Sequence, residues 1–79
     1  MYKTPSKKEI HRIQAIGTYL KECRFGEGMT REQVCVYLKM HHHTLMRIEN
    51  GKLGYNIIHI FELADFYGLT AKDILEFAE

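Results

Sequence analysis

Apolar residues recur every three or four positions along most of the chain, the spacing that gathers them on one face of an α-helix. Ile10, Ile13, Gly17 and Leu20 share such a face, and Ser6-Lys7-Lys8-Glu9 ahead of them reads as a capping box. In such a box the hydroxyl and the carboxylate each satisfy a free amide at the helix start. Gly26 and Gly28 stop this first helix. Thr30-Arg31-Glu32-Gln33 repeats the box and opens a second helix, with Val34, Cys35 and Leu38 on its buried side. Lys39-Met40 interrupts it. A third segment begins at His41, turns Leu45 and Ile48 inward and ends at Asn50-Gly51. The pattern predicts a fourth helix from Asn56 to about Tyr67, closed by Gly68, with Ile57, Ile60, Ala64 and Tyr67 inward. Thr70-Ala71-Lys72-Asp73 caps a fifth, which carries Ile74, Leu75 and Phe77. No run alternates cleanly between apolar and polar, so strands are not expected. The expected fold class is all-α, a compact bundle of five helices.

With 79 residues, positions 1–79 amount to one small domain. A hydrophobic fraction of 46% against 27% charged marks a globular chain, not a disordered one. The longest apolar run is a few residues, so neither a transmembrane helix nor a membrane partner is expected. No charged, apolar and small-residue signal opens the chain, and the cytoplasm is the expected compartment. Size excludes a large pocketed enzyme. Cys23 and Cys35 form neither a CxxC motif nor a disulfide framework, and read as small thiols on inward faces. Neither has a patterned His and acid partner, so no catalysis is expected. His41-His42-His43 invites a metal reading. Adjacent helical residues point about 100° apart, however, whereas helical metal pairs sit three or four residues apart. No metal or other cofactor is expected.

The net charge of +1 conceals an asymmetry. Residues 1–54 hold ten Lys/Arg against five Asp/Glu, while residues 55–79 hold Lys72 against five acids. A basic front with an acidic back fits a polyanion binder whose other end does something else. Chance asymmetry of solvated faces is the plainer alternative.

The informative stretch runs from about residue 30 to 52. Two short helices joined by a tight turn pack at a steep angle, with the small Cys35 at the crossing and Val34, Leu38, Met40, Leu45 and Ile48 locking the pair. The second helix then shows His42, His43, Met46 and Arg47 to solvent, a shape that fits the major groove of DNA. Here the chain resembles the Cro and phage-repressor type of helix-turn-helix, the XRE family. The likeness runs through Thr30, Gln33, Val34, Cys35 and Leu38, and is most specific at Arg47-Ile48-Glu49-Asn50-Gly51-Lys52. Ile16-Gly17, Leu20 and Arg24 agree with the family's first helix, and Leu63-Ala64 with Tyr67-Gly68-Leu69-Thr70 agree with its fourth and fifth.

The resemblance implies a lambda-repressor-like bundle whose first helix is extended at its N-terminus by residues 1–15. It implies a phosphate contact for Arg31 and base-reading positions for His42, His43 and Met46, with Thr44 beside them. Arg47 reaches a base or a phosphate, and Asn50 and Lys52 touch the DNA backbone. A salt bridge between Arg24 and Glu49 is also implied. Lys39 departs from the family's glycine, at a cost of about 1 kcal/mol if it is left-handed. The histidines and Met46 give no firm base preference. Where the histidines face phosphates, their protonation below about pH 6.5 strengthens binding.

The expected function is therefore that of a sequence-specific DNA-binding transcriptional regulator, a repressor that reads a palindromic operator as a homodimer. An antitoxin or a restriction–modification controller of the same fold is an alternative, with a toxin or a regulator as the candidate protein partner. So is a protein-interaction module that no longer reads DNA. Ile10, Ile13, Ile58, Phe66 and Phe77 are apolar residues beyond the expected inner faces. They either pack within one chain or form the dimer interface.

Overall fold

The computed structural model describes residues 6–52 and 57–77. These residues form five helices: α1 (Lys7–Gly26), α2 (Arg31–Leu38), α3 (His42–Glu49), α4 (Ile57–Tyr67) and α5 (Ala71–Phe77). No strand occurs among the described residues, and none of their helices is long and apolar enough to cross a membrane. The expected start of the fourth helix at Asn56 and the side chain of Phe77 lie outside the described residues.

Both capping boxes form. The Ser6 hydroxyl accepts from the Glu9 N–H at 3.2 Å. At α2, the Thr30 hydroxyl accepts from the Gln33 N–H at 3.1 Å, and Gln33 Oε1 accepts from the Thr30 N–H at 2.9 Å. Each box satisfies two of the amides that a helix start leaves over.

The core is drawn from every helix: Leu20 from α1, Val34 and Cys35 from α2, Leu45 and Ile48 from α3, Ile60, Leu63 and Ala64 from α4, and Ile74 from α5. Met40 joins it from the turn between α2 and α3. Gly17 allows α1 to lie directly on the end of α3. A Cβ there would collide with the Ile48 carbonyl and press on that of Glu49 at 3.2 Å.

Two residues of α4 differ from expectation. On α4 the buried residues are Ile60, Leu63 and Ala64, while Ile57 leaves 58% of its surface exposed. Ile57 sits in the first turn, at the edge of the buried arc, and projects into a surface groove. Phe66, expected off the inner face, is half-buried because α2 offers it a partner: its ring lies 4.9 Å from that of Tyr37. Ile10, Ile13, Leu38 and Cys23 are half-buried, and Ile58 is exposed.

Candidate nucleic-acid interface

Helix α3 is divided cleanly. Leu45, Ile48 and Glu49 are buried, while His42, His43, Arg47 and Asn50 are exposed and Met46 is half-buried. At about 100° per residue, the second group occupies one arc of less than half the circumference. Thr44 falls on the flank of that arc and is half-buried. Lys52 is exposed just beyond the helix, and with Met46, Arg47 and Asn50 it lines a shallow concavity. Most of the residues expected to meet DNA thus share one outward surface, and Thr44 stands at its edge.

The start of α3 is built in an unusual way. His41 is its N-cap, and His41 Nδ1 accepts from the His43 N–H at 3.2 Å. The imidazole lone pair does the work usually given to the oxygen of Ser, Thr, Asp or Asn. The His41 and His43 rings stack at 5.4 Å with planes 18° apart.

Beneath α3 lies a buried ionic cluster. The Glu49 carboxylate has no exposed side-chain surface. Arg24 Nε donates to Glu49 Oε2 at 2.8 Å and Nη2 to Oε1 at 3.1 Å, a paired fork. Its remaining Nη1 donates to the Met29 carbonyl at 2.9 Å, in the connection between α1 and α2. The bridge implied between Arg24 and Glu49 is therefore present. Hydrogen bonding to Glu49 raises the Arg24 pKa further, outweighing the burial that opposes it.

Arg31 completes the cluster, which was not foreseen. Its Nε donates to Glu49 Oε1 at 2.8 Å, while 28% of the side chain stays exposed. Two guanidiniums face one carboxylate. Arg24 is wholly internal, so the surplus positive charge emerges with Arg31 at the first residue of α2. The terminal nitrogens of Arg31 have no hydrogen-bond partner among the described residues. Arg31 is thus fixed at Nε and open at its far edge, which suits an oxyanion approaching the start of α2.

No family model matches the chain, and neither a curated protein nor a solved structure is significantly similar to it.

Proposed function

We propose that this chain is a DNA-binding transcriptional regulator with a lambda-repressor-like helix-turn-helix fold of the Cro and phage-repressor type. In this reading α3 enters the major groove. His42, His43 and Met46 meet base edges, with Thr44 at the margin, and Arg47 reaches a base or a phosphate. Arg31, Asn50 and Lys52 hold the backbone, which sets register without reading sequence. The protein acts as a homodimeric repressor on a palindromic site, in the cytoplasm. An antitoxin or a restriction–modification controller would use the same surface, the antitoxin with a toxin as its protein partner.

The observation that carries the reading is the anchoring of Arg31. At the first residue of α2, Arg31 is tethered through Nε to the buried Glu49 of α3 while part of its side chain stays exposed. A second reading, a protein-docking module, draws on the apolar Val36 and Tyr37, which are 74% and 71% exposed on α2.

The test is selection from a randomised duplex pool, followed by anisotropy titration of the recovered sequences at two salt concentrations. Enrichment of an inverted repeat, with affinity falling steeply as salt rises, is the expected result. Weak binding without enrichment would remove the operator reading and favour the docking module.

A further inference from the structure

We propose that Lys39, in the turn between α2 and α3, grips the DNA backbone, and that a strained conformation is kept there for the sake of its charge. The proposal rests on the DNA-binding reading and adds a residue to the interface. Lys39 adopts φ 54° and ψ 40°, the left-handed region, and it has the one positive φ outside glycine among the described residues. The turn demands that conformation. It lets the Met40 N–H reach the Cys35 carbonyl at 2.9 Å and brings Met40 into the core. Glycine meets the same demand without a Cβ, as Gly28, Gly51 and Gly68 do at three other helix ends. A side chain at this position therefore costs stability, and nothing in the fold offsets it. Lys39 is exposed, and its ammonium makes no hydrogen bond or ion pair among the described residues. Strain kept at an exposed, unpaired side chain points to something that the side chain meets in a complex.

The surroundings of Lys39 select an anion. From Gln33 to Ile48 the chain holds no acid, while it holds Lys39, Arg47 and three histidines. The contact of Tyr37 with Phe66 brings α4 against the same end of α2, and Asp65 of α4 makes no ion pair with Lys39. The position suits a phosphate in particular. The eight residues of α3 span about 12 Å at about 1.5 Å each, which is about the width of the major groove. Lys39 stands three residues before α3 and Lys52 three residues after it. Cations just past the two ends of the helix suit phosphates on the two walls of the groove. Together they would set the register of α3 without reading sequence. A lysine fits this task, as a compact charge on a flexible stem that asks little of the geometry of its partner.

Folding and binding are measured on the same variants. Lys39→Gln keeps the backbone cost and removes the charge, Lys39→Gly removes both, and Lys39→Arg keeps both. Each full-length variant is unfolded in urea. Each is also titrated by anisotropy, at several salt concentrations, against a duplex recovered from the pool selection, with Lys52→Gln for comparison. Lys39→Gln should keep its urea midpoint, bind more weakly on the order of tenfold in about 0.1 M salt, and lower the slope of log affinity against log salt by about one. Lys39→Gly should lose the same affinity while its midpoint rises, and Lys39→Arg should bind as the wild type does. A variant that folds better and binds less is not what a purely structural lysine gives. Wild-type affinity and slope in both Lys39→Gln and Lys39→Gly, beside a loss in Lys52→Gln, would overturn the proposal and leave the DNA-binding reading standing. A loss in Lys39→Gly alone would also overturn it, because backbone freedom and not charge would then be the cause. A wild-type chain that enriches no duplex and binds none tightly removes the reading and the proposal together.

Discussion

Tyr67 turns its hydroxyl into the interior, where it has no hydrogen-bond partner among the described residues. Burial, reinforced by the negative charge of Glu49, pushes its pKa up to about 12. The folded state therefore holds this proton more tightly than the unfolded chain does. That contribution is complete below about pH 10, and is lost as pH climbs from there through about 12. Tyr67→Phe removes both the titration and the unsatisfied hydroxyl. At neutral pH it should equal the wild type or exceed it by up to about 1 kcal/mol, and above about pH 10 it should lose less stability than the wild type. Urea unfolding across that range checks both statements; a large loss at neutral pH would mean that the hydroxyl has a partner after all. Individual residues are also where the sequence was least legible. The pairing of Arg24 with Glu49 could be reached by resemblance. The bond from Arg31 to the same carboxylate could not, because spacing along separate helices says nothing about which side chains converge. His41 was legible as a helix start but not as its cap, since an imidazole accepts an N–H only in the right rotamer and tautomer.

At the scale of elements the helices were legible, because their punctuation is chemical and local. Four of them end alike. At α1 the Gly28 and Met29 N–H groups bond to the Phe25 and Arg24 carbonyls, and at α3 those of Gly51 and Lys52 bond to Ile48 and Arg47. At α4 Gly68 and Leu69 bond to Asp65 and Ala64. In α2 the same pair is made by Lys39 to Val36 and by Met40 to Cys35, at 3.4 and 2.9 Å. The motif needs a left-handed residue, and three glycines supply it while Lys39 adopts φ 54°. A lysine there bears a steric cost that glycine avoids. Lys39→Gly should accordingly raise stability by about 1 kcal/mol, seen as a higher urea midpoint with an unchanged slope. A loss instead would show that the Lys39 side chain makes a contact outweighing its strain. Faces were less legible than ends. Ile57 fits the inward stripe of α4 by spacing alone, but it stands in the first turn of that stripe and stays exposed. Phe66 lies off the stripe and is still sheltered, because Tyr37 reaches it from α2. Burial at a stripe's margin is decided by the neighbouring element.

Taken whole, the molecule has two unlike sides. One is the outward arc of α3, where Arg47 and Asn50 are exposed with Lys52 just beyond, and the other is the apolar groove lined from α1, α4 and α5. The division of charge along the sequence anticipated this only coarsely, since a running tally assigns charges to segments and not to surfaces. If the first side is built for phosphate, its cations should release counterions on binding and distant ones should not. Lys52→Gln and Arg31→Gln should each lower the slope of log affinity against log salt by about one, with similar loss on every duplex sequence. Lys72→Gln should leave the slope unchanged. Lys72 is exposed on α5 and faces Glu76 at 3.9 Å, and that helix packs on α1 and α4. All three substitutions remove one positive charge, so the comparison holds net charge constant and varies only its place. Equal slopes for the three variants would mean that DNA senses the total charge of the chain and that neither side is built for phosphate.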